Sequence, residues 1–182
     1  MNDLVYIILT VLLVVILLIL AMYNKLIKLK NKVKKAKANI EIYLNKRFDL
    51  IPNIVECVKS YSKYENETLE SIVALRSNYT EQKNINIKDA QSMNNSLNKL
   101  LAVVESYPEL KANANYMSLH NELRNIEDEL EVSRIRYNDI VTLYNTKVET
   151  IPSNLVASIF GFKKAELFKT EDSKKENIKL EL

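Results

Sequence analysis

The hydrophobic pattern of this chain changes character twice. From Leu4 to Met22 it reads "LVYIILTVLLVVILLILAM", apolar throughout and without a charge. Those 19 residues at ~1.5 Å each span about 28 Å as a helix, close to the ~30 Å hydrocarbon core of a bilayer. Beyond Tyr23 the apolar positions thin out to helical spacing, with Leu26, Val33, Ile40, Leu44 and Phe48 on one face. No Gly or Pro interrupts Leu4 to Arg47, so the span is expected to run directly into a second, amphipathic stretch of helix.

The periodicity then meets "YLNKRFDLIPNIVECV" at 43–58, where Leu44, Phe48, Ile51, Val55 and Val58 keep helical spacing around Pro52. A proline inside a helix removes a hydrogen bond and costs about 3 kcal/mol. A kinked helix, a turn between helices and a chemically required site all fit. The reading adopted is a tight reversal: Asp49 acts as an N-cap, and Pro52 falls in a first turn, where its missing N–H is no loss. Helix 2 would then run to about Glu81 on Ile51, Val55, Val58, Leu69, Ile72 and Tyr79. The polar stretch 80–91 reads as a loop, with Asp89 near the start of helix 3, which carries Met93, Leu97, Leu100, Leu101 and Val104. "ESYPELKANAN" (105–115) breaks that helix at Pro108. Helix 4 has a strict 3-4 alternation: Tyr116, Leu119, Leu123, Ile126, Leu130, Ser133, Tyr137, Ile140, Tyr144, Lys147 and Ile151, ended by Pro152. The expected fold is all-α, an N-terminal transmembrane helix (4–23) continuing into an antiparallel four-helix bundle (24–162). Residues 1–3 would lie outside the cell, and 163–182 would fray into a charged, disordered tail. An intermolecular coiled coil is the competing reading of the heptads; the breaks at Asp49 and Pro108 favour the intramolecular bundle.

Charge adds a direction. The first 37 residues hold Lys25, Lys28, Lys30, Lys32, Lys34, Lys35 and Lys37 against a single Asp3, a net of +6; the rest of the chain nets −3. These lysines flank the span on one side, which places the N-terminus outside and the bundle in the cytoplasm by the positive-inside rule. A cleaved signal peptide fits poorly: the N-terminus is not basic, the apolar run is long, and "LILAMYN" is a weak cleavage site. The lysines can also meet anionic lipid headgroups, at about 1 kcal/mol each, or merely be solvated. A nucleic-acid reader would spread its basic residues over a folded face, so no nucleic-acid partner is expected.

With these elements in place the sequence resembles the LemA family. The resemblance covers nearly the whole chain and rests on 23–61, "VVESYPELKANANYMSL" (103–119), "RYNDIVTLYNTKVETIP" (136–152) and "FGF" (160–162). Within these, the Arg47-Phe48-Asp49-Leu50-Ile51-Pro52-Asn53 run and the two Tyr-Asn dipeptides seven residues apart are the specific features. The family implies one N-terminal span, an outside N-terminus and a helical cytoplasmic bundle. It implies no settled activity and no catalytic residues. The tail after Phe168 departs from the family pattern.

Several constellations could carry function. Arg47, Asp49 and Asn53 form either a partner surface or a cap, in which Asp49 holds backbone N–H groups and Arg47 pairs with an acid across the turn; capping alone, worth about 1 kcal/mol, accounts for the residue types. Tyr137-Asn138 and Tyr144-Asn145 place both tyrosines on the core stripe. Their hydroxyls need partners, for which Glu65, Arg76 and Arg134 are candidates, or else they line a small-ligand site. Glu127, Asp128, Glu129 and Glu131 read as a solvated face: a di-iron bundle needs Glu-x-x-His motifs, and the chain has one His. Walker, dinucleotide, H-E-x-x-H and nucleophile-elbow motifs are absent. No catalytic residue, metal site or cofactor is therefore expected, and no disulfide, since Cys57 is alone. Asn66, Asn78 and Asn94 open glycosylation triplets that have no meaning in the cytoplasm. Finally, "NLVASIFGFKKAELF" (154–168) carries Leu155, Ile159, Phe160, Phe162 and Phe168 beside Lys163 and Lys164. It has the composition of an interfacial segment, and equally of a cap on the bundle core. The expected role is a membrane-anchored scaffold that binds a cytoplasmic or membrane protein. The alternatives are a protein that senses or organises an anionic lipid surface, and an enzyme or ligand-binding bundle.

Overall fold

The computed structural model describes residues 2–60 and 87–168, and every regular element among them is an α-helix. These are α1 (Asn2–Lys59), α2 (Ile87–Glu105), α3 (Pro108–Lys111), α4 (Ala114–Glu149) and α5 (Ser153–Ile159), followed by an extended segment, 162–168. Leu69, Ile72 and Tyr79, the distal stripe of the expected helix 2, fall outside the described residues, as do Glu65 and Arg76.

The N-terminal apolar stretch lies in α1, long and apolar enough to cross a membrane and without burial against the rest of the protein. The reversal expected at Asp49 does not occur. α1 continues through Pro52 to Lys59, so Asp49 lies inside the helix and is not its N-cap. Burial explains why. Phe48, Ile51, Ile54, Val55 and Val58 are all buried, flanking the proline on both sides. Full burial of one such side chain is worth about 1.5–3 kcal/mol, so the set outweighs the ~3 kcal/mol of one interior proline.

The described residues fall into two units, Ala38–Ser133 and the pair of segments Met1–Lys37 and Arg134–Leu182. In the Ala38–Ser133 unit, the core is built from Ile40, Leu44, Phe48, Ile51, Val55 and Val58 of α1, Leu97, Leu100 and Val104 of α2, Leu110 of α3, and Tyr116, Leu123, Ile126 and Leu130 of α4. Helix is already established at Ile87, so the expected loop gives way before Asp89. Pro108 does break α2, and it restarts the chain as α3 from the first helical position, where its missing N–H is harmless. Asn113 caps α4: its side-chain oxygen accepts from the backbone N–H groups of Asn115 (2.9 Å) and Tyr116 (3.2 Å).

In the other unit, Leu26 packs with Val156 and Ala157, and Met22, Tyr23, Val148 and Phe162 close around them. The Tyr23 ring lies 4.8 Å from that of Phe160 and 5.8 Å from that of Phe162. The buried Ser153 hydroxyl, a single donor, lies within hydrogen-bond reach of the carbonyls of Lys147 (2.6 Å) and Thr150 (3.0 Å) at the end of α4. Gly161 adopts φ 69°, a left-handed conformation that turns the chain out of α5. The segment from 163 was expected to fray; 163–168 instead lies along α4, and 169–182 fall outside the described residues.

Candidate functional site

Arg47, Asp49 and Asn53 all lie inside α1. Positions 49 and 53 share an exposed face of α1, whereas Arg47 points the other way and is 4% exposed. Its guanidinium Nε meets Oε1 of Glu127 on α4 at 2.5 Å. Arg47 thus pairs with an acid, as expected, but across two helices rather than across a turn. The Tyr43 hydroxyl donates to Glu129 at 3.1 Å. Half of the acidic group read as a solvated face is therefore engaged, leaving Asp128 and Glu131 exposed. A charge pair with one partner buried fixes the register of α1 on α4 more than it adds stability.

The seven lysines from Lys25 to Lys37 are all exposed on α1, around the half-buried or buried stripe Leu26, Val33 and Ala36. Lys30 places its ammonium 5.7 Å from the centroid of the Phe162 ring. That contact brings the basic segment and part of 154–168 together. Within 154–168 the side chains divide: Val156, Ala157 and Phe162 pack onto α1, as does the half-exposed ring of Phe160 against Tyr23, while Leu155 (63% exposed), Ile159 (77%) and Leu167 face outward.

The two Tyr-Asn dipeptides form a polar ladder whose partners are main-chain atoms. The Tyr144 hydroxyl donates to the Lys163 carbonyl and the Tyr137 hydroxyl to the Glu166 carbonyl, both at 2.9 Å. The Asn145 amide donates to the Ala165 carbonyl and accepts from the Ala165 N–H, both at 2.9 Å. Asn138 does the same with Phe168, at 3.0 and 2.9 Å. Each Asn thus closes a two-bond ring with one extended residue, as a neighbouring β-strand would. Phe168 also stacks edge-on against Tyr137, with centroids 5.2 Å apart. Lys164 pairs with Glu149 in solvent. The register follows from helix and strand dimensions. Seven helical residues rise ~10.5 Å and three extended residues ~9–10 Å, so a heptad of α4 matches a triplet of the strap. Burial pushes the hydroxyls of Tyr137 and Tyr144 above the ordinary tyrosine range, and the Glu166 carboxylate adds to it for Tyr137. Both therefore stay protonated as donors.

The spacing of the dipeptides was visible in the sequence, but their partners were not. The expected pairing to acidic or basic side chains is replaced by pairing to backbone, which leaves no residue-type signature in 163–168. Among the described residues no cluster of His, Cys, Asp and Glu has the arrangement to hold a metal ion.

These features define an all-helical protein with an N-terminal apolar helix fit to anchor it in a membrane. Residues 36–182 match the LemA family, and the chain belongs to it. It is 26% identical over 152 residues to Protein LemA of Metamycoplasma hominis, covering 82% of this chain and 69% of that protein. It is also similar to Magnetosome protein MamQ 2 of Paramagnetospirillum magneticum, 38% identical over 74 residues, and to Magnetosome protein MamQ of Magnetospirillum gryphiswaldense, 32% identical over 74 residues. Each of those matches covers 41% of this chain and only 27% of the magnetosome protein.

Proposed function

We propose that this chain is a single-pass membrane protein whose helical body lies on the cytoplasmic side and acts as a protein-binding scaffold or adaptor, not as an enzyme. The carrying observation is the layout of α1: an unburied apolar helix, seven exposed lysines immediately after it, and then a buried stripe continuous with the body's core. One helix then serves as anchor, orientation signal and structural spine. The body is proposed to be an antiparallel helical bundle. The match to the magnetosome proteins spans about a quarter of their length, and nothing of their role is carried over. Proximity labelling from a tag after Leu182, against an anchor-only control ending near Lys37, tests the reading. A reproducible set of proteins labelled by the full chain alone supports it. Identical labelling from both counts against it.

A second reading has its own observation. Ile151, Leu155 and Ile159 recur at spacings of four residues and are exposed, beside Phe160 and the exposed Lys163 and Lys164. Such a face suits contact with an anionic lipid surface near Lys25–Lys37. A polarity-sensitive probe at position 155 of the full chain should blue-shift more in nanodiscs containing anionic lipid than in zwitterionic ones. Equal spectra argue for a solvent-facing or partner-facing segment.

A further inference from the structure

We propose that the ladder formed by Tyr137-Asn138 and Tyr144-Asn145 is a binding site for an extended peptide segment of another protein, and that residues 163–168 are the ligand it holds in the resting chain. The inference rests on the protein-binding reading and narrows it to one site. All six hydrogen bonds across the ladder end on backbone N–H or C=O groups of the strap. Every residue except proline carries both groups, so the ladder reads an extended backbone and not a particular sequence. This is strand addition carried out by helix side chains. Its requirements can be stated from the contacts. The two residues that face the asparagines, in the places of Ala165 and Phe168, must keep their N–H groups and so cannot be proline. The residue in the place of Phe168 should be aromatic, because it meets the Tyr137 ring. The residues between are free, since Lys163, Lys164, Glu166 and Leu167 are exposed. The footprint has two rungs: one heptad away on either side the dipeptides are Leu130-Glu131 and Ile151-Pro152, which cannot repeat the pairing.

The strap is also built to leave. It joins α5 through Gly161, whose φ of 69° marks a turn at which an added Cβ would meet open space. Among the described residues, its hold besides the Phe168 ring and a solvent-exposed ion pair is the main-chain ladder, which a competing backbone reproduces bond for bond. A strap closed nine-tenths of the time or more weakens the apparent affinity for a competitor about tenfold or more.

The test uses the full chain in detergent micelles and a fluorescent, end-blocked peptide of sequence FKKAELF. Binding is read by anisotropy to wild type and to Ala165→Pro/Phe168→Pro, which removes both strap N–H groups at an extended segment outside the helices. The expected result is at least tenfold tighter binding to the proline variant. Adding Asn138→Asp/Asn145→Asp, nearly isosteric but lacking the amide donors, should abolish that gain at unchanged helicity, and a peptide with proline at its fourth and seventh positions should not bind. No binding to the helical proline variant, or binding indifferent to Asn138 and Asn145, overturns the site. A wild-type chain that is a dimer in micelles and becomes a monomer on the proline substitutions also overturns it, in favour of strap exchange between copies. Proximity labelling of partners scores the whole body, so the ladder can fail while that labelling persists and the broader reading stands.

Discussion

Asn113 occupies one position and sets the start of a 36-residue helix. Without its side-chain oxygen, the N–H groups of Asn115 and Tyr116 turn to water or go unmet. Asn113→Ala should lower the stability of the chain by about 0.5–2 kcal/mol in urea melts. Tyr137 and Tyr144 make a different prediction, in pH. Their hydroxyls are protonated donors whose pKa values are raised above 10.0 in the folded chain. A raised pKa means that the native state holds its proton more tightly than the unfolded state. The stability this contributes is complete below pH 10 and is lost as pH rises through the native pKa. Ultraviolet titration should therefore show a fraction of the tyrosines ionising late. Tyr137→Phe/Tyr144→Phe should shrink that fraction, leaving Tyr116, raised chiefly by burial and then by Glu105. Unchanged late titration in the double variant would remove the hydroxyl-to-carbonyl bonds from the account.

Pro52 shows how far local signals reach at the scale of an element. The in-phase spacing of Leu44, Phe48, Ile51, Val55 and Val58 already described one continuous helix, and Asp49 and Pro52 together described a break. Local chemistry ranked the break higher because a cap and a first-turn proline are both favourable; the choice went the other way because the buried faces on both sides of the proline belong to one core. An interior proline leaves the carbonyl four residues back without its helical donor, so Pro52→Ala should stabilise the chain, by up to ~3 kcal/mol in a urea melt. A neutral or destabilising effect would mean that the ring's own packing outweighs the restored bond. Most of the helical layout was legible in this manner: the stripes of α2 and α4 are buried nearly position for position, from Leu97 to Val104 and from Tyr116 to Tyr144. The strap was not legible. Periodicity reports elements that bury side chains, whereas 163–168 is held by its backbone. The two Tyr-Asn dipeptides announced that something repeats along α4 every two turns, but the repeat is matched by a backbone advancing three residues at a time, which carries no residue-type signal.

For the molecule as a whole, the proposed orientation in the membrane is the claim on which most others depend, because it decides which partners the body and the strap can meet. The argument is electrostatic. Lys25 to Lys37 are exposed on every side of α1 except its packed stripe, and residues 1–3 hold no basic side chain. Basic residues within about 15–20 residues of a span set its direction, and near an anionic leaflet each adds about 1 kcal/mol. A reporter that works only in the cytoplasm, fused after Leu182, should therefore be active. The stronger test moves the charge. With Lys25, Lys28, Lys30, Lys32, Lys34, Lys35 and Lys37 changed to Gln, and Asn2 and Asp3 changed to Lys, the bias is reversed while the apolar run is untouched. Reporter activity should fall, and a reporter that works only outside should gain what the first one loses. None of the seven ammonium groups belongs to the buried core, so the glutamine substitutions should leave the helical body folded. If the charge-swapped chain keeps its body in the cytoplasm, lysine placement is not what orients it, and the basic segment is left with the lipid or protein contacts as its only role.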